Sequence, residues 1–298
     1  MTKTVWVFPG QGSQSVGMGS DLGDLPIAQA RLAQASEILG WSVVELCQGD
    51  ATTLSRTLYT QPCLYVIESI LVDLLQAQGD RPDLLAGHSL GEYVALYAAG
   101  VFSFADGLRL VQRRAELMDR ASGGLMAALL GYDPEQLYTQ LDQIPGVVLA
   151  NDNNAGQVVV SGTPEAVETL LQNVKAKRAV KLNVSGAFHS PLMAPAAAEF
   201  QTLLETVPFS DAQTPILSNV DPRPATDAVS LKDRLRRQMT GSVRWREITL
   251  QLPLEGISRV VEVGPGKVLT GIMKRTVPEL ELVNISSLAD IPALSLSR

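Results

Sequence analysis

The sequence predicts an α/β protein: a mainly parallel sheet covered on both faces by helices, carrying an inserted ferredoxin-like unit. Three observations predict it. Apolar, strand-like runs alternate with helical patterns along the chain. Thr4–Phe8 reads as a strand buried on both faces. Between about Gly124 and Val184 the order becomes β-α-β-β-α-β, the split-βαβ pattern.

The elements follow in order. The strand Thr4–Phe8 ends at Pro9-Gly10-Gln11-Gly12. A helix from Pro26 to Leu39 stops at Gly40, and one from Gln61 to Gln78 has Pro62 at a starting position and Gly79 beyond its end. Leu84–Gly87 is a short strand leading into His88-Ser89-Leu90-Gly91, with a helix from Tyr93 to Ala99. Ser103-Phe104-Ala105-Asp106 resembles a capping box opening a helix to about Ala121. The inserted unit holds strands at Leu125–Leu130, Val147–Ala150, Gln157–Val160 and Ala179–Val184, with helices from Asp133 and Thr163. Beyond it come helices at Pro195–Val207, Ser230–Met239 and Val268–Val277, and strands at Ile216–Val220, Arg259–Val263 and Leu280–Ile285. The tail after Ser287 is expected to fray. The insertion divides the chain into a large subdomain, 1–123 plus 189–298, and a small one, 124–188.

Composition narrows the function. The 298 residues are 46% hydrophobic and 18% charged, too apolar for a disordered chain. The net charge of −7 argues against general nucleic-acid binding. Cys47 and Cys63, far apart in sequence, suit neither a disulfide framework nor a zinc knuckle and read as buried free thiols in a reducing cytosol. No signal peptide is evident, and the longest uncharged runs, such as Tyr93–Ala105, are too short or too polar to span a bilayer. The expectation is a cytoplasmic protein with no membrane partner, no metal and no cofactor.

The sharpest motif is Gly87-His88-Ser89-Leu90-Gly91, a G-x-S-x-G between a strand and a helix. That context makes Ser89 a nucleophile at a tight corner. A serine hydroxyl needs a base, and the chain has only two histidines. His88 adjoins Ser89, where neighbouring side chains diverge, which leaves His189. An oxyanion hole needs two N–H donors, one from Leu90 and one from a nearby loop such as Pro9–Gln14. That loop lacks the G-K-[ST] ending of a nucleotide-hydrolysing loop.

At this point the chain resembles the malonyl-CoA:acyl carrier protein transacylases of fatty acid synthesis and the acyltransferase domains of polyketide synthases. The matching segments are Phe8–Gln14, Gly87–Tyr93, Arg113–Met118, Gln157–Gly162, Gly186–His189 and Glu262–Lys267, in family order and spanning almost the whole chain. The resemblance implies an α/β-hydrolase-like large subdomain beside a ferredoxin-like small one. It implies that Ser89 carries the acyl group, that His189 is general base and then acid, and that the N–H groups of Gln11 and Leu90 form the oxyanion hole. Arg114 would pair with malonyl's free carboxylate, and Gln238 would orient His189 through its backbone carbonyl. Phe188 would be a size gate favouring malonyl over branched acyl groups; Gly186 departs from many polyketide domains, so that specificity motif matches only in part. Arg109 and Arg113 are expected to stay at the surface.

The implied partners are malonyl-CoA, coenzyme A and holo acyl carrier protein; the soluble composition permits a monomer, which is the expectation. Carrier proteins are acidic, so local positive surface is expected. Lys232–Arg246 holds six basic residues against Asp233, and Lys267, Lys274 and Arg275 form a second region. Because the length leaves no room for further synthase domains, fatty acid synthesis is the favoured setting. Two rival readings stay open: a serine hydrolase using water as acceptor, and a non-catalytic carrier-binding module.

Overall fold

The computed structural model describes residues 2–291. In chain order its elements are β1 (Lys3–Phe8), α1 (Pro26–Leu39), α2 (Val43–Gln48), α3 (Ala51–Ser55), α4 (Thr57–Ala77), β2 (Leu84–Gly87), α5 (Gly91–Ala98) and α6 (Phe104–Arg120). Then follow β3 (Leu125–Tyr132), α7 (Pro134–Gln143), β4 (Val147–Asn154), β5 (Gln157–Gly162), α8 (Pro164–Asn173) and β6 (Ala176–Lys181). The chain continues with α9 (Ala194–Thr206), β7 (Ile216–Ser218), β8 (Asp221–Ala225), α10 (Ala228–Gln238), α11 (Trp245–Leu254), β9 (Ile257–Val263), α12 (Val268–Met273) and β10 (Glu281–Ile285).

The large sheet runs β10-β9-β1-β2-β7-β8, parallel throughout except for the edge strand β8. Alternation along β1 shows why both faces are covered. Trp6 and Phe8 join the core beneath α4, α5 and α6, while Val5 and Val7 join the core built with α11 and α12. The small sheet runs β4-β5-β3-β6 and is antiparallel, the order expected of a split βαβ. Its Ala127, Leu129, Val158 and Val160 pack under α7 and α8, and its Met126, Ala128 and Val159 turn towards the large core. Strand β4 is tied to the segment after α10: Val243 N–H donates to Ala150 O at 2.8 Å, and Asp152 N–H to Val243 O at 2.9 Å. That clasp fixes the small sheet over the C-terminal end of the parallel strands.

Several expectations need correction. Helix α4 begins at Thr57, so Pro62 lies inside it rather than at its start. Burial of nearly the whole helix outweighs the one backbone hydrogen bond that proline removes. This helix also reaches the length and hydropathy of a membrane span, contrary to the reading of the uncharged runs, but 83% of that window is buried inside the protein. The short helices α2 and α3 were not expected, although Ser42 and Asp50 cap them through Glu45 N–H and Thr52 N–H. Helix α11 and strand β8 were also missed. β8 carries Pro222 and Pro224, which an edge strand tolerates. β6 lies three residues earlier than expected, and Leu288–Asp290 form a capped 3₁₀ turn instead of fraying. The rest of that expected frayed tail, residues 292–298, lies outside the described residues. Cys47 and Cys63 are buried and free, yet they meet across α2 and α4, and their hydrogen bond and burial push the Cys63 thiol pKa up.

Candidate active site

Strand β2 ends at Gly87 and α5 starts at Gly91, so His88-Ser89-Leu90 make the corner. A Cβ on Gly91 would lie 2.0 Å from Phe8 O, and one on Gly87 would lie 1.9 Å from the Gly91 carbonyl carbon. Only hydrogen fits at both positions. The corner forces Ser89 to φ 52°, the left-handed region that a side chain rarely adopts.

Hydrogen bonds on both sides hold that conformation. Ser89 N–H donates to Asn219 Oδ1 at 2.8 Å, and Ser89 O accepts from Gln238 Nε2 at 2.8 Å. Asn219 Nδ2 also donates to Gly87 O at 2.6 Å. Glu92 Oε2 accepts from Asn219 N–H at 3.1 Å and from Gln238 Nε2 at 2.8 Å. Burial raises the Glu92 pKa, and these hydrogen bonds oppose the rise.

His189 sits at φ 56° just before the 3₁₀ turn Pro191–Met193. Its Nδ1 lies 3.1 Å from both Gln238 O and Gly241 O. Carbonyls only accept, so Nδ1 carries the proton and Nε2 is bare. That bare nitrogen lies 2.7 Å from Ser89 Oγ. Burial, and then the nearby Arg114 guanidinium, lower the His189 pKa to about 3. The ring is therefore a neutral base at physiological pH. His88 makes other contacts: its Nε2 lies 2.9 Å from Asn153 Oδ1, and its ring packs 5.4 Å from Trp245.

Arg114, on α6, is 1% exposed. Its Nη1 donates to Gln61 Oε1, and its Nη2 to Ser89 Oγ at 3.0 Å and Gln238 Oε1 at 3.2 Å. Its guanidinium lies 5.4 Å from the Tyr93 ring centroid. Nε has no partner, and no carboxylate among the described residues forms an ion pair with it. Burial lowers its pKa. Arg109 and Arg113 instead pair outside with Asp106, Glu116 and Glu199.

Ser89, His189, Arg114, Gln11, Leu90 and Phe188 all line one cavity of about 100 Å³. Met118, Met126, Leu182 and Val184 give it an apolar wall. Beyond Gln11 and Val184 a second pocket of about 520 Å³ continues outward past Asn183 and Ser185. Among the described residues, the backbone N–H groups of Gln11 and Leu90 have no hydrogen-bond partner. Gln238 stands behind the cavity, touching nucleophile, base and guanidinium at once.

Sequence reasoning missed Gln61, Asn219 and the side chain of Gln238. Glu92 was legible as part of the quoted motif but not as a brace. The basic stretch is less basic than it reads. Lys232 meets Glu205, Arg234 meets Asp221, Arg236 and Arg237 share Asp233, and Arg244 meets Glu247.

Residues 5–295 match the family described as acyl transferase domain. The chain is 59% identical over 292 residues to the malonyl CoA-acyl carrier protein transacylase of Synechocystis sp. strain PCC 6803, covering 98% of this chain and 100% of the relative. The crystal structure of the Synechocystis malonyl-CoA:ACP transacylase superposes with a TM-score of 0.95 at 59% identity, over 97% of this chain and 98% of that one. A malonyl-transacylase solved in complex with a type II polyketide-synthase acyl carrier protein superposes at 0.92, with 37% identity over 97% of each chain. The chain belongs to the acyl transferase domain family, among the malonyl CoA-acyl carrier protein transacylases.

Proposed function

We propose that the enzyme moves a malonyl group from malonyl-CoA to the phosphopantetheine thiol of holo acyl carrier protein through a malonyl ester on Ser89. One observation carries the choice of acyl group: Arg114 is buried, lacks a carboxylate partner, leaves Nε unsatisfied and touches the nucleophile. Tyr93 and Glu92 offset part of its charge, but a buried guanidinium without an ion-pair partner still favours an anionic ligand. Malonyl offers a planar carboxylate that two parallel N–H groups would hold.

The chemistry follows from the hydrogen bonds. Ser89 Oγ loses its proton to His189 Nε2 as it attacks the thioester carbonyl carbon. The carbonyl oxygen becomes an oxyanion facing the free N–H groups of Gln11 and Leu90. Collapse breaks the C–S bond, and His189 returns its proton to the departing coenzyme A thiolate. The carrier thiol then gives its proton to His189, attacks the ester, and leaves Ser89 protonated again. Arg114 also sets the timing. It opposes a charged His189, and a bound carboxylate would neutralise it, easing imidazolium formation only when malonyl is present. An acetyl group brings no such relief.

The two carbonyls on Nδ1 stand where a Ser-His-Asp triad has a carboxylate, and they hold the imidazole in the tautomer that leaves Nε2 bare. The outer pocket gives a pantetheine arm a path to Ser89. We assign residues 1–123 and 189–298 to a large catalytic subdomain and 124–188 to a small one that roofs it. Fatty acid synthesis, a monomeric state and a cytoplasmic setting complete the reading.

Peptide mass spectrometry after incubation with malonyl-CoA tests this. The malonyl mass should appear on Ser89 and disappear when holo carrier protein is added. An unlabelled, folded protein would instead support a binding module.

A further inference from the structure

A chain of hydrogen bonds joins the two ends of this site. Arg114 Nη1 donates to Gln61 Oε1, Gln61 Nε2 donates to Thr57 Oγ1 at 2.8 Å, and Thr57 Oγ1 donates to Gln11 Oε1 at 2.7 Å. Its direction is fixed. A guanidinium only donates, so Gln61 must turn its oxygen to Arg114 and its amide N–H₂ to Thr57. The Thr57 oxygen accepts there, so its one proton goes to Gln11. Gln61 is fully buried and Thr57 is 5% exposed, and the Thr57–Gln11 link borders the outer pocket.

The two anchors differ in rigidity. Thr57 and Gln61 lie in the first two turns of the buried helix α4, whereas Gln11 lies in the loop after β1. The Thr57 hydroxyl therefore ties a loop to a fixed support.

We infer that Thr57 is a positioning residue: through Gln11 it holds an oxyanion-hole N–H in place, and through Gln61 it links that donor to the guanidinium that grips the substrate carboxylate. The inference rests on the roles given above to Gln11 and Arg114. Neither the Gln11 N–H nor the guanidinium touches Thr57 directly, so its effect is transmitted. Loosening an oxyanion donor weakens the transition state more than the ground state, so the loss belongs in kcat rather than KM.

The experiment measures Ser89 acylation by malonyl-CoA and by acetyl-CoA in wild type, Thr57→Val, Thr57→Ser and Arg114→Ala. Thr57→Val keeps the shape and removes the hydroxyl. It should lower kcat for both acyl groups about tenfold or more, with KM within about twofold. Thr57→Ser should return kcat to within about threefold of wild type. In the Thr57→Val/Arg114→Ala double variant the malonyl losses should fall short of multiplying, because both residues belong to one chain. If Thr57→Val unfolds early, Thr57→Ala against Thr57→Ser supplies the same contrast. Wild-type kcat in the hydroxyl-free variant, a loss confined to KM, or no rescue by serine would overturn the inference. Failure of the underlying reading is separately visible, as equal loss of malonyl and acetyl transfer in Arg114→Ala alone.

Discussion

Ser89 and His189 are the only non-glycine residues with positive φ among the described residues, and their side chains meet at 2.7 Å. The backbone is strained at both partners of this contact. Each is held by neighbours that fix direction: Asn219 and Gln238 at the serine, two carbonyls at the histidine. The strain is thus offset by a network that aims Oγ at a bare imidazole nitrogen.

The first prediction concerns pH. His189 has its pKa lowered to about 3, so the neutral base persists well into acid. An ordinary histidine near 6.5 would be about nine-tenths protonated at pH 5.5. The acylation kcat/KM for malonyl-CoA, which reports the free enzyme, should instead change less than about twofold between pH 7.5 and 5.5. The folded pKa lies below the unfolded one, so the stability due to neutral His189 is complete above about pH 6.5. It is lost as pH falls from there towards 3. Stopped-flow acylation and denaturant titrations across that range check both statements.

Arg114→Ala should separate the acyl groups. Losing the carboxylate's partner should cost about 3–5 kcal/mol, which lowers malonyl kcat/KM by roughly two to four orders of magnitude. Acetyl transfer should hold or rise, because the charge opposing His189⁺ is gone. Arg114→Lys should fall between, lacking the planar fork. Competition assays with mixed acyl-CoA donors report the ratio directly.

Phe188 is buried against the large core and also lines the cavity, so its ring is both packing and wall. Gly186 makes room for it: a Cβ there would lie 2.8 Å from Ala121 Cβ and 3.4 Å from Phe188 Cε1. Phe188→Leu should raise the methylmalonyl-to-malonyl ratio of kcat/KM about tenfold. An unchanged ratio would make Phe188 a packing residue only.

Glu68 is fully buried in α4, with neither carboxylate oxygen hydrogen-bonded. Burial, and then the Glu262 charge, raise its pKa well above the ordinary value. A carboxyl neutral when folded and ionised when unfolded costs stability increasingly as pH rises above about 4.5. Glu68→Leu should therefore stabilise the protein by about 1–3 kcal/mol at pH 8 and less at pH 5, read from urea unfolding.

Local patterns made much of this legible in sequence. The corner at Ser89 declares itself because strand, glycines and helix are contiguous, and His189 followed from there being only two histidines. Neighbours distant in the chain were not legible. Gln238 reaches Ser89 across 149 positions and Asn219 across 130, and no spacing rule connects them. Gln61 was seen as the start of a helix and not as the partner of Arg114, because Pro62 suggested a boundary that tertiary packing overrides. The charge of the Lys232–Arg246 stretch was overestimated because Asp221, Glu205 and Glu247 lie outside it in sequence and beside it in space.

We propose that Ser89 passes its acyl group to a thiol and not to water. Single-turnover discharge of isolated malonyl-enzyme, with and without holo carrier protein, tests it most directly. The ester should be stable for minutes in buffer and discharged within the mixing time or a few turnovers' time once the thiol is present, with all malonyl recovered on the carrier. Rapid release of free malonate at a rate the thiol does not change would contradict it.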